Sequence, residues 1–321
     1  IIHTRNLLSN SYPNPASEYA RINYQLPTDA NTGTIELYAL NGKTGQKKWE
    51  FESLGKIAHA NAPSVGDNGA VYFGTDRGVV YSLDGTNGNL NWEFEVGDYI
   101  DLSSIAIGLN GVLYFGAGNN TVYALNENGT ELWRYKTNND ILVSSELHSL
   151  HSRPSPSIGV SGTVYVGLND QVLYALDGQS GQKKWEFITQ WESESDPSGN
   201  CFSAPSISSD GTIYIGGGYR KMYALHGESG EKKWELDTGG RSYGVNFSPT
   251  INSDGTVYGG NMHHVVYALN GETGSDLWSV GIGNEVLTST LIGNDGTLYV
   301  SEIKGGRFYA LDSQTGNKKW E

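Results

Sequence analysis

Hydrophobic positions in this chain fall in short runs of four to six residues, bounded by glycines and polar turns, and the runs come in pairs. Thr212-Ile213-Tyr214-Ile215 and Met222-Tyr223-Ala224-Leu225 are the clearest pair. Their β-branched, aromatic and aliphatic residues, with no alternating polar positions, predict strands buried on both faces. No stretch sustains a helical period. Each pair is followed by a glycine-containing turn and a tryptophan. The tyrosine of the second run stands eleven residues before the tryptophan in six copies, from Tyr38/Trp49 to Tyr309/Trp320, and ten before it in Tyr123/Trp133. A glycine precedes every one of these tryptophans by four residues: Gly45, Gly88, Gly129, Gly181, Gly230, Gly274 and Gly316.

The seven tryptophans are separated by 43, 41, 52, 49, 44 and 42 residues. A period in the forties made of short β runs predicts propeller blades, each a four-stranded meander. Ahead of each pair of runs stands a hairpin turn: Asn68-Gly69, Asn110-Gly111, Asp210-Gly211, Asp254-Gly255, Asp295-Gly296 and the weaker Ser161-Gly162. These residues accept positive φ, so the innermost strand must precede the turn. Small residues dominate there, as in Ala204-Pro205-Ser206-Ile207 and Ser248-Pro249-Thr250-Ile251. Crowding at a narrow axis requires such residues, and a proline on that edge loses no ladder bond. The expectation is an all-β propeller of four-stranded antiparallel blades, seven in number, with eight as the alternative. Residues 33–321 hold seven repeat copies, and residues 1–32 read as a degenerate or partial blade within the same single domain.

The run YALNGKTGQKKW at Tyr38–Trp49, repeated as YALDGQSGQKKW at Tyr174–Trp185, resembles the pyrroloquinoline-quinone (PQQ)-type propeller repeat. That repeat occurs in quinoprotein alcohol dehydrogenases and in the outer-membrane assembly lipoprotein propeller, and it serves redox enzymes and cofactor-free scaffolds alike. The resemblance spans roughly residues 33–321. It implies a structural role for Trp49, Trp92, Trp133, Trp185, Trp234, Trp278 and Trp320, each docking its ring on the neighbouring blade. It also implies an extracytoplasmic location. Quinoprotein alcohol dehydrogenases carry adjacent cysteines near their cofactor. This chain has one cysteine, Cys201, which also excludes an intramolecular disulfide.

Composition narrows the function classes. The chain has 321 residues, long enough to bury about three quarters of its unfolded surface without a staple. Twenty-one Lys plus Arg against 35 Asp plus Glu leave a formal charge of -14, which repels nucleic acid and anionic lipid, so neither is expected as a partner. No run of 18 apolar residues occurs, so membrane insertion is not expected, and the opening Ile1-Ile2-His3-Thr4-Arg5 reads as a processed start. The paired lysines ahead of four of the repeat tryptophans read as a solvated blade edge that discourages pairing between molecules. A monomer is expected.

Candidate chemistry concentrates in loops. Linkers at 135–152 and 187–201 are longer than the fold needs, and the loops joining second to third strands share no consensus. In a propeller both kinds emerge on one face, around the channel mouth. Ligand-binding candidates there are Arg77, His148, His151, Arg153, Trp191, Tyr219, Arg220, Arg241, His263 and Arg307. The arginines could grip a carboxylate-rich ligand. The histidine spacing is too generic for a metal site, and the acidic run around Trp191 lacks calcium-loop spacing, so no metal is expected. No nucleophile elbow, Walker loop or dinucleotide fingerprint is present, and no catalytic residue is assigned. The leading expectation is a non-enzymatic scaffold for a protein or carbohydrate partner, with no cofactor. The alternative is a PQQ-dependent dehydrogenase or sensor holding the quinone and Ca²⁺ in the channel.

Overall fold

In the computed structural model the described residues are 34–54, 62–97, 103–118, 120–137, 155–168, 172–188, 203–217, 221–238, 248–261, 264–283, 290–302 and 306–321. They form seven antiparallel sheets and no helix. The first sheet pairs Thr34–Leu40 with Lys47–Leu54, and the half-blade expected over residues 1–32 lies outside the described residues. The other six each have four strands in sequence order, the meander that the repeat predicts. Sheet five is representative, running Ser206–Ile207, Thr212–Gly217, Lys221–His226 and Lys232–Asp237. This is a β-propeller of seven blades. The chain forms two compact units, Ile1–Asn138 with sheets one to three and Asn139–Glu321 with sheets four to seven.

Second and third strands are buried along nearly their whole length, because the core lies between successive sheets rather than on one side of each. Between sheets five and six, Met222, Ala224 and Trp234 pack on Val257, Tyr267 and Leu269. The same layer recurs between sheets four and five, where Leu173 and Tyr165 meet Ile213, Ile215 and Tyr223. Continuous apolar runs are therefore what these strands need, with neither face left for water.

Each outer strand carries a bulge. Ala224 pairs with Trp234 but Leu225 with Lys232, so Lys233 is the extra residue, and a bulge re-aims the side chain it inserts. The effect is visible in three blades. The bulged Lys184, Lys233 and Lys319 turn back across the sheet to donate to Thr163, Thr212 and Thr297 Oγ1 at 2.8, 2.8 and 2.9 Å. The lysine before each is paired to the glutamate three residues on, as in Lys183–Glu186 at 2.6 Å. In these three blades the lysine pair, still at the solvent edge, makes one cross-strand bond to a threonine hydroxyl and one surface ion pair.

Neighbouring sheets are joined at both margins. On the inner side, Ser157 and Ser206 Oγ donate to the Pro205 and Pro249 carbonyls at 2.5 Å, and Thr250 Oγ1 to the Thr290 carbonyl at 2.5 Å. In the first unit Ser64 Oγ does the same to the Ile105 carbonyl. Small hydroxyl residues occupy these strands because each reaches one blade across, which crowding alone does not demand. On the outer side, the indole NH of Trp185, Trp234 and Trp278 donates to the carbonyl of Gly227, Gly271 and Ser313 at 2.8–3.0 Å. Trp49 and Trp92 bond in the same way to Gly85 and Glu127.

Five of the seven glycines that stand four residues before a tryptophan belong to the same joint. Gly88, Gly129, Gly230, Gly274 and Gly316 have φ of +72 to +80°, and a Cβ on any of them would lie 2.6–2.8 Å from the indole of the preceding blade. Its missing side chain is where the neighbouring ring sits. Trp320 differs in being 49% exposed.

Candidate functional site

Strand direction alternates within each sheet, so the hairpin turns and the third-to-fourth-strand turns occupy one edge. The second-to-third-strand loops and the linkers between sheets occupy the other, and hydrogen bonds tie these two sets together. In sheets two, three and six the linker after the outer strand donates to the last residue of the loop: Val96 to Gly78 (2.8 Å), Thr137 to Asn120 (3.2 Å) and Ile282 to His264 (2.6 Å). All three acceptors are left-handed, with φ of +72, +56 and +66°. Glycine adopts that conformation freely; asparagine and histidine do so less easily, and such outliers cluster where structure serves function. Asn261 adds a bond from its Nδ2 to the Thr238 carbonyl at 3.1 Å, joining the incoming linker to the loop of sheet six.

The residue three positions after each second-strand tyrosine opens these loops. It is Thr75, Ala117, Leu168, Gly217, Asn261 and Glu302 in turn, buried in every case. Chemistry therefore changes from blade to blade at one fixed and enclosed place, while the strands around it hardly change. Exposed residues above it change too, among them Arg77 and His264.

Of the residues nominated from the sequence, Arg77 and Arg307 are described, each exposed on the loop edge of its own unit. His148, His151, Arg153, Trp191, Tyr219, Arg220, Arg241 and His263 lie outside the described residues. Around Arg307 the structure assembles groups that the sequence did not nominate. Tyr309 donates its hydroxyl proton to Glu302 Oε1 at 2.5 Å and accepts the Gly283 NH at 3.3 Å. The pKa of Arg307 is raised above the ordinary arginine value, first by the Tyr309 hydroxyl and then by the charges of Glu302 and Glu321. The backbone closes the loop with a bond from the Glu302 NH to the Arg307 carbonyl at 3.0 Å. Glu302 is 6% exposed, the one buried charged side chain among the described residues. The one available signal was an acidic residue where the other copies have Thr, Ala, Leu, Gly or Asn.

Innermost hydroxyls are committed to the next blade, and no group of three His, Cys, Asp or Glu side chains among the described residues could hold a metal ion. No helix among them is long and apolar enough to cross a membrane.

Comparison with known proteins bears on the family and the fold. The crystal structure of BamB from Moraxella catarrhalis superposes with a TM-score of 0.63 at 19% identity, covering 85% of this chain and 79% of that one. A crystal structure of the computationally designed Ika8 protein gives a TM-score of 0.66 at 16% identity, covering 95% and 84%. No curated protein sequence matches the chain. A family model described as outer membrane protein assembly factor BamB matches residues 31–244 and 242–321. The chain belongs to this BamB-like family of PQQ-type repeat propellers.

Proposed function

We propose that this chain is a cofactor-free binding scaffold, extracytoplasmic, that holds a protein partner on the edge carrying the second-to-third-strand loops and the linkers. The observation carrying this reading is the contrast between a repeated frame and a loop edge whose enclosed residue differs in each of six blades. A frame that needed only to fold would repeat there as it repeats elsewhere. The left-handed Asn120 and His264 add to it, since both hold costly conformations at that edge. The description of the family, an outer membrane protein assembly factor, fits a role in assembling other proteins rather than in transforming a substrate.

Photo-crosslinking tests the assignment. A photoreactive residue placed at Arg77 or His264 is expected to give one discrete protein adduct in envelopes of the source cell, whereas the same residue at Asn87 or Asp254, on the hairpin edge, gives none. Adducts from the hairpin edge alone would overturn the face assignment.

A further inference from the structure

We infer that Asn41 is a site of spontaneous covalent modification, where the side-chain amide is lost through a cyclic imide formed with Gly42. The chain has six Asn-Gly pairs: Asn41-Gly42, Asn68-Gly69, Asn87-Gly88, Asn110-Gly111, Asn128-Gly129 and Asn270-Gly271. In each, a glycine with no side chain to hinder approach offers its backbone nitrogen as a nucleophile beside the carboxamide. That nitrogen must first give up its proton, and a hydrogen bond to a carbonyl withholds it. Five of the glycine NH groups are bonded in this way: Gly69 to Gly66, Gly88 to Asp84, Gly111 to Gly108, Gly129 to Asn126 and Gly271 to Gly255, at 2.8–3.1 Å. The Gly42 NH donates to no carbonyl among the described residues, and Gly42 is exposed.

The turn around Asn41 prepares the other reactant. Asn41 Oδ1 accepts the NH groups of Lys43 and Thr44, each at 2.9 Å. Those donors polarise the carboxamide carbon and stabilise the negative charge that develops on its oxygen when nitrogen attacks. Asn270 makes the same turn, its Oδ1 accepting the Glu272 and Thr273 NH groups at 3.0 Å. The two sites share the electrophile and differ in the nucleophile, since Gly271 is buried and its NH is bonded. Water is the only co-reactant. The Gly42 nitrogen bonds to Asn41 Cγ, Nδ2 leaves as ammonia with the proton that the Gly42 NH gives up, and water opens the imide at either carbonyl. One opening leaves aspartate in the ordinary chain; the other leaves isoaspartate, with the main chain rerouted through the side-chain carbon. Aspartate keeps the turn, since Asp84 and Asp177 accept backbone NH groups there in sister copies. Isoaspartate does not, because the main-chain carbonyl that accepts the Gly45 NH at 2.8 Å becomes a free carboxylate.

Peptide mapping by mass spectrometry during incubation of the folded protein at mildly alkaline pH tests the inference, with labelling by an isoaspartyl methyltransferase as the second readout. Asn41 is expected to convert first, about tenfold or more faster than any of the other five, the order of protection that one hydrogen bond gives. In urea the ranking should collapse, because all six pairs then present the same free nucleophile. Asn41→Asp should keep the wild-type thermal midpoint, whereas isoaspartate-bearing protein isolated after incubation should melt lower. Conversion of Asn270, or of any of the other four bonded pairs, at the rate of Asn41 in the folded protein would overturn the inference, as would a ranking that persists in urea. An isoaspartate-bearing fraction that melts with the wild type would overturn the effect assigned to the turn.

Discussion

Replacing Gly230 with alanine separates two costs that one residue conceals. The position is left-handed, with φ +73°, and a Cβ would stand 2.6 Å from Trp185 Cε3 and 2.7 Å from Cδ2. Gly211 in the same sheet is also left-handed, with φ +82°, yet nothing lies within 4 Å of its added Cβ. Gly211→Ala should therefore carry only the conformational cost, about 1–2 kcal/mol. Gly230→Ala carries the same cost plus overlap with an indole that cannot retreat, since its NH is bonded to the Gly227 carbonyl and its ring lies 5.7 Å from Tyr165. Overpacking of that kind adds about 1–3 kcal/mol, for a total of about 2–5 kcal/mol. Urea unfolding of the two variants reads the difference directly. Trp185→Ala supplies the control background: with the ring gone, Gly230→Ala should fall to the cost of Gly211→Ala, a coupling visible in a double-mutant cycle. Equal destabilisation by the two glycine variants, or a Gly230→Ala cost unchanged in the Trp185→Ala background, would refute the docking account.

Acid sensitivity should follow the hairpin aspartates. Asp210 accepts from the Ser208 hydroxyl, then from the backbone and hydroxyl of Thr212, with Lys233 nearby, and its pKa is lowered to about 2. A depressed folded value means stability that is full above the unfolded pKa of about 4 and lost as pH falls from there toward 2. Asp210 is largely exposed, so screening limits the effect to under about 1 kcal/mol. Asp210→Asn should flatten the acid limb of a stability-pH curve, and an unchanged limb would contradict the assignment. His226 stands where other copies place Asn41, Asp177, Asn270 and Asp312, whose side chains accept backbone NH groups of the same turn. His226→Asp should restore those bonds and raise the unfolding midpoint, by about 0.5 kcal/mol or more in stability. A lowered midpoint would show that the histidine has another role.

Much of the fold was legible because the repeat is a record of contacts that recur from blade to blade. The strands, the hairpins and the regular tryptophans follow from local pattern alone. The partner of each tryptophan does not, because Gly230 is close to Trp234 in sequence but meets Trp185 of the blade before it. The tyrosines of the second strand hide a role for the same reason. Tyr214 and Trp234 share the Gly271 carbonyl, at 3.0 and 2.8 Å, a meeting that neither local run contains. Paired lysines read alike in the sequence, whereas the bulge sends one of them across the sheet to a threonine hydroxyl. Of the candidate site, Arg77 and Arg307 were found as exposed cations in loops. Glu302 and Tyr309 were not, since a tyrosine present in every copy looks structural and a single acidic residue after a strand carries no pattern. Their relation to Gly283 depends on a linker folding back over the sheet.

Calorimetric titration with pyrroloquinoline quinone, with and without Ca²⁺, tests the claim of a cofactor-free scaffold most directly. The account predicts no saturable heat and no change in the absorbance of the quinone under either condition. Saturable binding at micromolar or tighter affinity, about -8 kcal/mol, would contradict it and move the protein to the redox branch of its repeat family.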